Sequence, residues 1–187
     1  MKRNQFIASF LTIAVAPFLL LSQKQKLLSK NAKGFVVKGG EGRKYGHIVL
    51  QGINANILDM KISGSDTNGD LAMFEQMSLT QRRGAPLHIH HFQDEVFYVL
   101  EGAYYFQVGN EKYKLTSGDS IFLPRKVPHS WVQASEKGKL TVIFQPAGKM
   151  ENFFLAVSAL DHEPTAQEID KIFSDHEMQV VGPPLQL

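Results

Sequence analysis

GAPLHIHHFQDEVFYVLEG (84–102) decides the fold when read with GDSIFLPRKVPHSW (118–131). On a β-strand, residues i and i+2 project to the same face, so His88 and His90 point together at one spot. His91 has the opposite parity and is excluded from that face. Glu95 follows five residues after His90, and His129 follows thirty-four residues after Glu95. Three imidazoles and one carboxylate form a borderline-to-hard donor set that suits Fe, Mn, Ni, Co, Cu or Zn. Four protein ligands leave room for water, dioxygen or substrate on a metal that favours five or six. Which metal is bound is not fixed by such permissive ligands. The other histidines, His47, His91, His162 and His176, read as ordinary core or surface residues.

The strand pattern extends outward from these segments. Gly46–Gln51, Asn56–Ile62 and Leu71–Leu79 read as strands, with a Gly-, Asp- and Asn-rich loop over 64–70. Ala103–Val108 and Lys112–Thr116 flank Gly109-Asn110, a hairpin signal. Ser120–Leu123, Ser130–Gln133 and Leu140–Gln145 complete the set. Many short strands at close spacing predict an all-β sandwich or barrel. After Pro146 the period changes. Met150–Val157 places Phe153, Phe154 and Val157 at helical spacing, and Thr165 with Glu168 forms a capping box ahead of Ile169, Ile172 and Phe173. The chain ends in an apolar extended stretch, VVGPPLQL (180–187).

These residues resemble the two signature motifs of the cupin superfamily. His88-x-His90, Glu95 and Gly102 fit the first, and Gly118, Pro124 and His129 fit the second. Three positions depart from the pattern: Arg82 and Lys126 stand where glycines are usual, and Gln133 stands for an asparagine. All three fall in turns or strand ends, away from the ligands. The resemblance covers about residues 45–148 and implies a double-stranded β-helix, or jelly-roll barrel, with a metal in its mouth. The tail resembles that of small single-domain cupins of the quercetinase-like kind.

What the resemblance implies for chemistry is a metal on His88, His90, Glu95 and His129, with Glu95 as the catalytic proton acceptor. The leading expectation is a dioxygenase cleaving an enol or flavonol-like small molecule. Isomerisation, epimerisation or decarboxylation on the same ligands is the second, and a non-catalytic cupin binding a sugar or small acid the third, because one fold hosts many functions. Phe97, Phe106, Phe122 and Trp131 are candidate pocket residues, with core packing the simpler role for each. Arg125-Lys126, just before His129, reads as a solvated turn; facing the pocket it would favour an anionic substrate.

Composition bounds the rest. With no cysteine among 187 residues, disulfides, thiolate zinc sites and cysteine nucleophiles are excluded. The net charge of +2 conceals an asymmetry: nine Lys/Arg against one acid in residues 1–44, and eleven against seventeen in 45–187. The folded part is mildly acidic, so no nucleic-acid partner is expected. MKRNQ followed by the apolar run Phe6–Leu21 has the n-region and h-region of an export signal. Pro17 after Ala14-Val15-Ala16 disfavours cleavage there. The organisation read from sequence is thus a signal or anchor segment (1–22), a basic linker (23–44), the cupin barrel (45–148) and a helical tail packing on the barrel (149–187). Export to the periplasm or membrane anchoring is the expected location, otherwise the cytoplasm, with membrane contact only through the N-terminal segment. In Glu95–Leu100 both strand faces are apolar, so the outward one should be covered. A homodimer partner is the favoured cover; residues 20–44 or the C-terminal tail are the alternative.

Overall fold

Alternation of apolar and polar residues builds two facing sheets in the computed structural model, which describes residues 33–50 and 56–187. The expected leader, residues 1–22, and residues 23–32 of the basic linker lie outside the described residues. No helix among the described residues is long and apolar enough to cross a membrane. The chain divides into two units, Met1–Val36 and Val37–Leu187, and the following concerns the second.

The strands are β1 (His47–Leu50), β2 (Asn56–Ile62), β3 (Ala72–Ser78), β4 (Pro86–His90), β5 (Asp94–Glu101), β6 (Ala103–Val108), β7 (Glu111–Thr116), β8 (Ser120–Leu123), β9 (His129–Gln133), β10 (Gly138–Gln145) and β11 (Met178–Pro184). Helices α1 (Met150–Ser158) and α2 (Ala166–Asp175) separate β10 from β11. One sheet runs β1-β2-β3-β10-β5-β8 and the other β11-β4-β9-β6-β7. All pairings between strands are antiparallel. This is the jelly-roll arrangement that the cupin resemblance implied, and the sandwich that the strand spacing predicted.

The core lies between the sheets. Phe74, Phe97, Phe106, Leu140 and Phe144 are at most 1% exposed. Phe144 sits among Phe74, Phe154 and the His90 ring, at centroid distances of 6.1, 6.0 and 5.6 Å. Truncating it leaves a void that a rigid barrel closes poorly. Phe144→Ala is expected to lower unfolding stability by about 3–5 kcal/mol. Urea denaturation measures this; a loss under about 1 kcal/mol would contradict the packing described.

Both residues that stand at glycine positions of the cupin motifs keep a left-handed backbone. Arg82 has φ 64° and Lys126 φ 66°, a region that favours glycine. Hydrogen bonds hold each in place: Arg82 N–H donates to the Gln133 carbonyl at 2.9 Å, and Lys126 N–H to the His90 carbonyl at 2.8 Å. The buried Gln133 donates its side-chain amide to the carbonyls of Ser135 and Glu136, so it stabilises the turn after β9.

Two expectations need correction. Phe122 is not a pocket residue. It pairs with Val96 on the outward parity of its strand and is 56% exposed, while Ile121 and Leu123 face inward. The C-terminal tail, helical and then extended as read from the sequence, does not cover the outer face of β5, which was the alternative to a homodimer partner there. There Tyr98 remains 43% and Leu100 37% exposed. Instead β11 joins the five-stranded sheet beside β4, with Met178 opposite His90 and Val180 opposite His88. Unpaired N–H and C=O groups on the β4 edge attract an extended segment, and the tail supplies one.

Candidate metal centre

Strand parity brings the ligands together from both sheets. In β4 the burial alternates, so Pro86, His88 and His90 face inward while Leu87 and Ile89 face outward. His88 is in register with His129 on the neighbouring β9. Glu95 enters from β5 in the opposite sheet, paired with Leu123 on one side and Phe144 on the other. All four residues are buried, and one ligand atom from each lies within 4.8 Å of the others. His91 is not among them.

The separations suit a single ion. His88 Nε2 and His90 Nε2 are 3.2 Å apart, His129 Nε2 and Glu95 Oε2 3.2 Å, and His90 Nε2 and Glu95 Oε2 3.7 Å. Two ligand atoms each about 2.1 Å from a metal and at right angles lie about 3.0 Å apart. The His129–Glu95 contact has the distance of a hydrogen bond but not its direction: His129 Nε2 is buried without a hydrogen-bond partner. A buried lone pair facing a carboxylate is unfavourable unless a cation or a proton lies between them. Tautomers agree. His88 Nδ1 lies 2.8 Å from the Pro86 carbonyl and His129 Nδ1 3.0 Å from the Val127 carbonyl. Carbonyls only accept, so these nitrogens carry the protons and each Nε2 turns a lone pair inward.

Burial sets the charge state. It pushes the His88 and His129 imidazoles down to about 4, with the neighbouring His129 adding to the effect at His88. His90 is lowered too, by burial first and then by His88 and His129. All three are therefore neutral at pH 7, as metal ligation requires. Burial pushes the Glu95 carboxyl up to about 7, against a smaller opposing pull from His88. The donor set fits a divalent transition metal.

The space around the cluster was not legible in advance. A cavity of about 50 Å3 adjoins His88, His90 and Glu95. Phe97 and Trp131 line it as expected, whereas Phe106 lies deeper in the core and does not. Its roof comes from the tail: Met150, Phe153, Phe154 and Val157 on α1, Phe173 on α2 and Met178 on β11. Phe173 meets His88 edge-on at 5.3 Å and Phe153 at 5.0 Å. The helical periodicity of these residues was visible in the sequence, but not the surface they would cover. Glu151 ties α1 down by accepting from Ser63 Oγ and the Gly64 N–H. The capping box of α2 forms as predicted, with Thr165 N–H donating to Glu168 at 2.8 Å. Arg125 points away from the cavity and forms a two-pronged ion pair with Asp94, at 2.6 and 3.0 Å.

A jelly-roll barrel with three histidines and a glutamate buried between its sheets defines the class of protein. Residues 76–144 match the cupin domain family model, and the chain carries a cupin domain. The chain is 29% identical over 147 residues to quercetin 2,3-dioxygenase of Bacillus subtilis, a match covering 75% of this chain and 41% of that protein. It is 42% identical over 43 residues to an uncharacterized protein of Methanocaldococcus jannaschii, covering 23% of this chain and 34% of that one. The chain thus spans less than half the length of these two curated relatives. Among solved structures, an RmlC-like cupin from Shewanella frigidimarina superposes with a TM-score of 0.51 at 23% identity, over 64% of this chain and 96% of that one.

Proposed function

We propose that this cupin domain holds one divalent transition metal on His88, His90, Glu95 and His129 and acts in dioxygen-dependent cleavage of a small, mostly apolar enol. The observation that carries the reading is a neutral-imidazole and carboxylate cluster opening onto a cavity whose remaining lining is almost wholly apolar. When bound, the metal supplies a Lewis acid for the enol oxygen and a binding position for dioxygen. Glu95, beside the position the enol oxygen would take, receives the enol proton. The aromatic roof excludes water and so strengthens each electrostatic contact beneath it.

The cavity also narrows the substrate class. Among the described residues that line it there is no Lys or Arg, and Gln76 is the one polar side chain apart from the ligands. Sugars, sugar phosphates and carboxylic acids would find few partners there, which weakens the epimerase and carrier readings. Ligand pockets for drug-sized molecules run to about 300–1,000 Å3. A cavity of about 50 Å3 is far smaller than a flavonol needs, so the substrate is a compact enol.

Dioxygen uptake tests this. Protein reconstituted with Fe, Mn, Co, Ni or Cu is expected to consume dioxygen with small β-diketone enols and much less with flavonols. Glu95→Gln is expected to lower the rate by about 10²–10⁴-fold. Absence of uptake with every metal and enol would end the dioxygenase reading, whatever the metal content.

A further inference from the structure

Every residue that lines the metal cavity is buried except Ala85, which is half-buried. A substrate therefore reaches the centre only when part of the wall moves. The walls differ in how firmly they are held. The barrel strands are hydrogen-bonded to their neighbours, and β11 pairs with β4. Helix α1 buries Met150, Phe153, Phe154 and Val157 and is tied down through Glu151. Helix α2 buries Phe173 alone, with Ile169 and Ile172 half-buried. A segment holding so little buried apolar surface opens at lower cost than either of the others.

Outside this wall lies a groove of about 290 Å3, bordered by Arg83, Gly84, Pro86, Ala166, Ile169 and Val180 among others. Pro86 lines both spaces, and the half-buried Ala85 stands between Gly84 and Pro86 in the chain. On α2, Ile169 borders the groove and Phe173 the cavity. Residues four apart share a helix face, so one turn of α2 separates the two spaces. The ends of α2 are held unequally. At the C-terminal end Lys149 Nζ donates to the Asp175 carbonyl at 3.2 Å. Ahead of the N-terminal end, the exposed Arg83 and Glu163 approach to 3.9 Å, an ion pair that contributes little.

We propose that Phe173 is the gate of the centre and a specificity-determining residue. Helix α2 hinges about its C-terminal end, draws the Phe173 ring off His88 and joins the cavity to the groove, through which a compact enol enters. With α2 closed the ring meets His88 edge-on at 5.3 Å and limits the size of molecule that fits beside the ligands. What enters rests on the function proposed above; the opening itself does not.

Trp131 lines the cavity at 4% exposure and is the one tryptophan of the chain, so its fluorescence reports entry. The probe is acrylamide, a small neutral quencher, added to the metal-free full chain. Quenching should be slow in wild-type protein and several-fold faster in Phe173→Ala, whose gate lacks its ring. Val157→Ala enlarges the same cavity from α1 and should keep the wild-type rate. Equal quenching in all three, or a Val157→Ala rate that matches Phe173→Ala, overturns the gate. Succinimide, a bulkier neutral quencher, should lag behind acrylamide in wild type and nearly match it in Phe173→Ala; an unchanged lag overturns the size limit. Hydrogen exchange of the wild type keeps the test decisive should Phe173→Ala fail to fold. Amides of α2 should exchange at least about 10-fold faster than those of α1, and equal protection of the two helices overturns the gate. None of these readouts needs the metal, so a failure of dioxygen uptake sinks the function proposed above and a failure here sinks the gate alone.

Discussion

His88→Ala protein is expected to purify without stoichiometric metal under conditions where the wild type retains it, with affinity lower by more than about a hundredfold. The bound below which the loss should not fall comes from outer partners, whose removal alone is worth about 10–100-fold. His88 contributes more than one of four donors. It stands in register with His129, its ring meets His129 at 4.5 Å, and its Nε2 lies 3.2 Å from that of His90. Removing it leaves His90, His129 and Glu95 around an enlarged space that water enters. Elemental analysis beside equilibrium titration measures the effect. Near-equal metal content in wild type and variant would show that the ion binds elsewhere. Metal binding should also release protons: at a pH between about 4 and 7 the centre carries its proton on Glu95 and none on the histidines. Affinity is thus expected to fall as pH drops below about 7.

Metal-free protein is expected to lose stability on acidification from pH 7 to 4.5, by several kcal/mol. The signs oppose one another and must be weighed. His88 and His129 fall from 6.5 to about 4 in the folded state. A depressed folded value contributes stability that is present above pH 6.5 and lost as pH falls towards 4, about 3 kcal/mol for each. His90 shifts in the same direction. Glu95 rises from 4.5 to about 7, so its contribution is fully present below 4.5 and lost as pH rises through 7, again about 3 kcal/mol. Three histidines outweigh one carboxyl, and the net slope is downward on acidification. Urea midpoints at pH 7 and 4.5 measure it. Glu95→Gln removes the opposing contribution, so its slope should be steeper. A flat wild-type profile, or a Glu95→Gln profile shallower than wild type, would contradict these charge states.

Much of the barrel was legible because β-structure writes itself as a period of two. Every strand predicted from alternation is present, with ends shifted by a residue or two at most in β1, β3, β4, β5, β7, β9 and β10. His88 and His90 were legible as a pair for the same reason. Glu95 and His129 needed the motif, since nothing local says that strands thirty-four residues apart will face one another across a sandwich. The outward position of Phe122 was missed because a short strand flanked by turns gives alternation without saying which phase is inside.

The sequence by itself determined the strand set and the two helices with the α2 capping box through local periodicity, and the four converging side chains through the motif resemblance. Only the tertiary structure decided where the tail goes. Its apolar stripe would satisfy burial equally on any open face of the barrel, because hydrophobic contact carries no direction. The free edge of β4 chose β11, and that pairing placed Met178 and Phe173 over the histidines. Cavity size and the neutral state of the imidazoles both follow from that closure. Each depends on how many atoms crowd one point in space, and burial of that kind has no signature along a chain.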